Sequence, residues 1–575
     1  PKLSDYEYLE QLFLPLSGAN MTLEGTPQHQ ALQWLAYHDP AILDIQSTSD
    51  LTLTQRYVMA VFFFATGGPS SWIDDLRFLS NYSVCEWPNI DGTEVGARTD
   101  NEVDCNENGE IVKIRIENNN LTGTIPKEIG VLTKLDLFTA GENEGVIGTI
   151  PPEMGELSLL TFLQFANDSL SGTLPDTLHK MKGLETFSVF KNNLQGTLPA
   201  KFLRETGFNL QILDVAQNWF NGTIPDAFIA QSRLRYVFME GNSFEGPLPS
   251  SLYSQRSLKI LALSQNRLNG TIGPRIGAMK ELRSLYLGNN AMSGTLPTEM
   301  AQLDDLEQME LGSNRFIGLL PTVIGNMRKL KTIDLSNNAF SGSLPSEFGN
   351  LDNLVSLNVQ SNPKISGSIP DSFSELDRLE EFMLSNTSIT SGLNEIFCSK
   401  ERLITKIQAD CAVNGDAEPT VPCDCCTSCC KNGGEDCEIR VTSICEIKAG
   451  VLKSKRAREV IDCACSEDGT SLICGDTACE TCTLDESHCA SNSNYGYNFN
   501  SSNGEIMSFQ NTIEYTTGPW SGTQLLFESV KDGPVCDVYV NGEKCRECAS
   551  IVCASGFPGL KILCENVEGG SVFNR

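Results

Sequence analysis

The chain has 575 residues, and its 42 lysines and arginines against 73 aspartates and glutamates leave a net charge of −31. Such acidity repels phosphate backbones and anionic lipid over most of the surface, which makes nucleic acid a poor partner, and the length exceeds what one compact core usually serves. The longest apolar run, YVMAVFFFA from Tyr57 to Ala65, is half a membrane span, so no membrane span is expected in this chain, and the start at Pro1 is compatible with removal of a signal peptide.

The first elements read as helices. In TPQHQALQWLAYHDP, Thr26 stands as an N-cap with Pro27 at the first helical position, and TQRYVMAVFFFATGG predicts an apolar helix ended by Gly67 and Gly68. Residues 1–110 are expected to form a helical cap over the strands that begin at Ile111.

From Ile111 to Ile407 the chain repeats itself. NNLTGTIP, NNLQGTLP, NWFNGTIP, NRLNGTIG, NAMSGTLP, NRFIGLLP and NAFSGSLP restate one phrase, with glycines from Gly123 to Gly392 spaced by 24 to 26 residues, which predicts twelve turns of a solenoid. In LKTIDLSNNAFSGSLPSEFGN, Leu330, Ile333 and Leu335 form an L-x-x-L-x-L strand whose aliphatic side chains point into a shared core. Asn338, where the chain leaves the strand, and its equivalents Asn119, Asn192, Asn218, Asn242, Asn266, Asn290 and Asn314 read as an internal amide ladder bonding backbone groups. Gly342 permits close backbone approach, and Pro345 ends regular pairing, so the convex side is built of loops and short helical turns.

These residues resemble the plant-type leucine-rich repeat proteins, with the L-x-G-x-I-P phrase of receptor ectodomains and polygalacturonase-inhibitor-like proteins. The resemblance implies a right-handed α/β solenoid, a horseshoe or superhelix of twelve repeats, over about half the chain. It also implies an N-terminal cap in TGGPSSWIDDLRFLSNYSVCEW, with a Trp-rich helix and a disulfide between Cys85 and Cys105; the intervening PNIDGTEVGARTDNEVD is longer than the family's tight loop. Gly273 in place of proline in GTIGP, and Pro363 in SNPKISG, depart from the pattern and suggest local bulges.

Downstream, Cys398 and Cys411 bracket a degenerate last strand. CDCCTSCC (Cys423, Cys425, Cys426, Cys429 and Cys430) is similar to the cysteine-rich tail of secreted or receptor-like leucine-rich repeat proteins from diatoms and related algae. Residues 408–489 are too poor in aliphatics to hold together by burial and read as a disulfide-stapled segment; the C-x-x-C spacings keep zinc as the rival. Residues 490–575 read as a small disulfide-containing β module, with a hairpin turn at Asn541-Gly542.

The even count of 22 cysteines, together with Asn-x-Ser/Thr acceptor sites at Asn20, Asn81, Asn120, Asn167, Asn221, Asn269, Asn386 and Asn500, points to an extracellular, secreted or cell-surface glycoprotein carrying N-linked glycans. Catalysis finds little support. The four histidines, His29, His38, His179 and His488, sit in no triad or metal spacing, and Asp74-Asp75 and Asp304-Asp305 are adjacent pairs that cannot face one another across a substrate. No cofactor or metal is indicated, although the acidity would suit a structural Ca²⁺.

The chemistry then rests with the outward residues of the repeat strands. Phe162, Phe190, Tyr236, Phe238 and Tyr286 interleave with Asp214, Glu240, Glu310 and Asp334, and outward aromatics among acids mark a contact stripe; lateral packing on neighbouring strands is the competing account of the rings. The chain is therefore expected to bind a protein, peptide or polysaccharide ligand on its concave face, in the receptor-like or inhibitor-like manner the resemblance implies. Two alternatives remain: a self-associating matrix or adhesion component, and an inhibitor of cell-wall-degrading hydrolases.

Overall fold

The computed structural model describes side chains for residues 3–87, 101–206, 209–228, 233–398, 404, 406–412 and 420–431, and beyond these only the backbone of short strands. Two compact units are present, one of Pro1–Asp424 with Cys430–Cys437, the other of Cys425–Cys429 with Glu438–Arg575.

In the first unit, α1 (Asp5–Ser17), α2 (Pro27–Gln33) and α3 (Asp50–Ala65) precede the repeats. Thr26 caps α2 by accepting the N–H of His29, with Pro27 at the first position, as its sequence predicts. Helix α3 buries Tyr57 through Phe63 and stops where Gly67 turns left-handed (φ 97°). The stretch from Gly68 to Trp87 is not the helix that the resemblance implies. Positive φ at Leu76, Arg77 and Leu79 breaks it into turns, and Trp72, Phe78 and Trp87 pack instead as an aromatic cluster on Phe63. Within that cluster Arg56 is buried between Trp34 and Trp87, its Nε 2.7 Å from Asp39 Oδ2. The pairing of Cys85 with Cys105 is present and fastens this cap to strand β1 (Glu102–Cys105), which runs antiparallel to β2 (Ile111–Arg115). The stretched loop between the two cysteines lies mostly outside the described residues.

From β2 to Lys406–Ala409 the repeats lay down a parallel sheet, each strand in register with the next, as Ser284–Tyr286 is with Gln308–Glu310. Most turns then make a left-handed step, a short shoulder strand and a convex 3₁₀ turn before returning, with an α-helix at Ala200–Glu205 instead. The shoulder strands form two sheets, one ending at Arg267–Leu268 and the next beginning at Ser293–Gly294. Leu330, Ile333 and Leu335 are fully buried, as are Phe340 and Phe348 of the same turn, and Phe316 stacks on Phe340 across turns at 6.1 Å. One turn alone could not bury these faces, so stacking supplies the core.

The asparagine ladder is physical. Asn338 Nδ2 donates to the carbonyls of Leu311, Leu335 and Ser336 at 2.9 to 3.2 Å, while its Oδ1 accepts the N–H of Phe316 in the preceding turn. Asn143, Asn362 and Asp168 stand on the same ladder although their phrases depart from the common one. At the first rung, Asn119 exchanges hydrogen bonds with the backbone of Asp74, so the cap takes the part of a preceding turn.

The two departures behave differently. Gly273 donates its N–H to the Tyr253 hydroxyl at 3.1 Å, a bond proline could not make; after Pro363 the shoulder pairing shifts register at Gly367/Ser368. At the far end, Cys430 pairs its backbone with Ala409 and Ala412 and is fully buried. Cys398, Cys411, Cys423, Cys425, Cys426, Cys429 and Cys430 are all disulfide-bonded.

In the second unit, Gln510–Glu514, Gln524–Ser529, Cys536–Val540 and Glu543–Cys545 pair antiparallel in chain order. Asn541-Gly542, His488, Asn500, Cys437, Cys479, Cys482 and Cys489 fall outside the described residues. Among the described residues no helix is long and apolar enough to cross a membrane.

Candidate functional site: the concave sheet

Strand alternation sends two outward residues per turn to the concave face, and the parallel register aligns them into rows. One row carries Phe162, Thr186, Ile212, Tyr236, Ile260, Ser284 and Gln308; the other carries Gln164, Ser188, Asp214, Phe238, Ala262, Tyr286, Glu310, Asp334, Asn358 and Met383. Phe190 and Glu240 follow two residues beyond their strands and open a third row. Every predicted stripe residue is half-buried, whereas Ser188, Ala262 and Asn358, outward by the same pattern, are covered by their neighbours.

The aromatic residues divide. Tyr236 and Phe238 stack on one another at 6.4 Å, so part of their surface is spent within the sheet, as lateral packing would have it. Tyr286 donates its hydroxyl to Gln308, which also accepts from Ser284, and is half-buried. Beside it the third row falls to small residues, Ser264, Gly288, Gly312 and Ser336, giving a shelf. A side chain at Gly312 would run into the Asp334 carboxylate and the Ser336 hydroxyl, 2.8 Å from each. This shelf was missed in the sequence because glycines next to the ladder read as turn residues.

The carboxylates around Tyr286 differ in their support. Asp214 accepts from the Ser188 hydroxyl at 3.0 Å and the Ala216 N–H at 3.1 Å, and Asp334 from the Ser336 N–H at 2.9 Å. Glu240 keeps a buried Oε2 without a hydrogen-bond partner. Burial raises the pKa of Glu240, helped by the charge of Asp214; burial raises Glu310 too, with Asp334 adding to it, and burial raises Asp214 against its two hydrogen bonds. Tyr286 is raised by burial and by the flanking charges of Glu310 and Glu240. Among the described residues none of these four carboxylates is in an ion pair, whereas Glu307, outward at the sheet's rim, is tied to Lys331.

Other candidate chemistry is engaged elsewhere. Asp304 and Asp305 pair with Lys280 and Lys329. His29 Nδ1 lies 2.8 Å from the Met21 carbonyl, and His179 bonds the Asp176 carbonyl. Cys398, Cys423 and Cys425 are each in a disulfide, which leaves no thiolate there to hold a metal. The described acceptor asparagines are spread over the cap (Asn20, Asn81), the left-handed steps and the start of the shoulder (Asn120, Asn167, Asn386) and the shoulder strands with their margin (Asn221, Asn269).

Two family models match the chain, both described as leucine rich repeat, over residues 306–363 and 209–230. Among solved structures the chain is similar to a plant peptide hormone receptor, RGFR1, in complex with RGF2, at 29% identity over 49% of this chain and 44% of that one, with a TM-score of 0.47. A TDR receptor matches at 31% identity over 52% and 51%, with a TM-score of 0.49. A plant ice-binding protein matches at 24% identity over 51% and 88%, with a TM-score of 0.43. The match thus spans about half the length of the two receptor chains. No curated protein matches the sequence. Together with the repeat phrase, the asparagine ladder and the parallel concave sheet, the two family matches mark residues 209–230 and 306–363 as leucine-rich repeats.

Proposed function

We propose that the protein is an extracellular recognition module whose concave sheet binds a peptide or protein ligand through a cationic group. The observation that carries this reading is the set of carboxylates without ion partners around Tyr286, of which Glu240 and Glu310 are held above their ordinary pKa. A lysine or arginine side chain laid over the shelf would give Glu240 Oε2 a partner, draw Glu240 and Glu310 into their charged forms and stack against Tyr286. The disulfides and acceptor asparagines support a secreted or cell-surface setting. The same surface would suit docking of a basic protein such as a hydrolase. Phe162, Phe190, Tyr236 and Phe238 are the flanking contacts of the stripe.

The test is capture of synthetic peptides that share one length and differ in charge. Basic peptides are selected, and E240Q with E310Q abolishes the preference without unfolding the protein; equal capture of acidic and basic peptides would remove the reading.

A further inference from the structure

Between each convex turn and the next concave strand the chain crosses a flank opposite the shoulder strands. Backbone bonds stitch these crossings into a column: Arg235 N–H to Gln211, Lys259 N–H to Arg235 and Arg283 N–H to Lys259, each at 2.8 Å. Three successive positions of that column, Arg235, Lys259 and Arg283, are cations in a chain of net charge −31. Arg233, Arg256 and Lys280 stand beside them in the same crossings, and Glu281 is the one carboxylate within the three segments.

Elsewhere on this flank most cations are matched, Lys134 and Arg378 excepted. Lys180 meets Glu156, Lys182 meets Glu205, Arg328 meets Asp352, Lys329 meets Asp305 and Lys331 meets Glu307. Among the described residues, Arg233, Arg235, Arg256, Lys259 and Arg283 are in no ion pair. Arg233 bonds the Asn209 amide, and Arg283 acts on Asp305 only through space. Arg235 and Arg283 are exposed and Lys259 half-exposed.

The geometry points to a binding site for an anionic linear polysaccharide, one bearing uronate or sulfate groups, lying along the solenoid axis over Arg235, Lys259 and Arg283. Spacing chooses among polyanions. Neighbouring strands stand about 4.8 Å apart, so the column repeats near the length of one sugar unit in an extended glycan. An extended peptide places same-face side chains about 6.6 Å apart and drifts out of step within three turns. A nucleic-acid strand carries a phosphate about every 3.4 Å and would meet the repulsive field of the rest of the molecule.

One residue further along each strand, Tyr236 and Ile260 form a half-buried apolar ledge beside the cations, suited to the C–H face of a sugar ring. The described acceptor asparagines of the repeats, Asn120, Asn167, Asn221, Asn269 and Asn386, all come after the concave strands on the shoulder side, so glycans carried there leave this flank open. The site lies beside the acidic stripe and shares Tyr236 with its edge, and the two take ligands of opposite charge.

The experiment measures binding of the full disulfide-intact chain to polyuronate, dextran sulfate, neutral dextran and polyaspartate over a salt series. The polyuronate or the sulfated glycan binds at low salt and neutral dextran does not, and the stronger of the two tells carboxylate from sulfate recognition. The triple variant R235Q/K259Q/R283Q, at surface positions, weakens that binding about tenfold with an unchanged melting temperature. The control K329Q/K331Q, at cations already paired, leaves it within about twofold. Binding to neither anionic glycan, equal loss in the control, or polyaspartate bound as tightly as the glycans would each overturn the assignment.

Discussion

Asp168 Oδ1 accepts the backbone N–H of Asn143 at 2.8 Å, the bond that Asn143 Oδ1 in turn accepts from Asn119. An asparagine there would donate from Nδ2 to carbonyls, but Asp168 presents Oδ2, which is buried and has no partner. Burial pushes its pKa up to about 8, with the charge of Glu142 adding to the shift. Because the folded value lies above the unfolded one, the carboxyl leaves stability intact below about pH 4 and takes it away as pH rises toward 8. Asp168→Asn should therefore raise stability by about 1–3 kcal/mol at pH 8 and much less at pH 4. Urea unfolding at the two pH values measures it, and a gain independent of pH would mean Asp168 is charged throughout.

Asn338→Ala removes three donated bonds and one accepted bond from the interior. Several backbone groups lose their partners, so the loss should be about 3 kcal/mol or more. Asn337→Ala, one residue earlier at an exposed left-handed position, keeps its backbone bond to Gln360 and should cost less than half as much. Denaturant midpoints for the two variants give the comparison.

Gly325→Ala should destabilise by about 2 kcal/mol or more, because a Cβ there would stand inside contact distance of the Glu347 carbonyl and backbone carbon on the next convex turn. Gly25→Ala, where nothing stands within 4 Å, meets only the strain of a φ of 85°. Thermal melts that rank the two the other way would show the convex turns to be loosely stacked.

Ligand capture on the concave face should strengthen as pH rises through the raised carboxyl range of Glu240 and Glu310. Both are partly neutral below it and charged above, and only the charged form attracts a cation. E240Q/E310Q should flatten the profile. Tyr286→Ala should weaken capture with a stability loss of only about 1 kcal/mol, since the ring is half-exposed and its hydroxyl makes one bond. A drop of several kcal/mol would class the ring with the core.

Breaking Cys85–Cys105 should cost about 3 kcal/mol in the cap, where it closes a loop of 20 residues. The repeats have their own aliphatic core, so reduction should loosen the chain beyond Cys398 before the solenoid. Hydrogen exchange on the reduced protein would show the order, and simultaneous exposure of both regions would contradict it.

The solenoid was legible in the sequence because its rules are local. Leu330, Ile333, Leu335, Asn338 and Gly342 each state their position by spacing alone. The ladder's exceptions were not legible, since Asn143 and Asp168 sit in phrases that lose the common pattern. The cap was half legible: Thr26 and Pro27 announce α2, but the burial of Arg56 between Trp34 and Trp87 joins residues far apart in the chain. The rows of the concave face could be read by alternation. Which rings remain open could not, because that depends on neighbours such as Gln308 and Gly312. The basic column was hidden in the net charge, and register alone brought Arg235, Lys259 and Arg283 together.

The ladder has one more consequence. Each rung clasps only the turn before it, and the cap offers the first rung the same handhold that a turn would. A stretch of 24 residues could thus be excised or duplicated with every clasp remade, while a cut of any other length would leave amides grasping at the wrong partners. Lineages can lengthen or shorten this molecule by whole turns, and doing so would slide the acidic shelf and the basic flank relative to its ends without redesigning either.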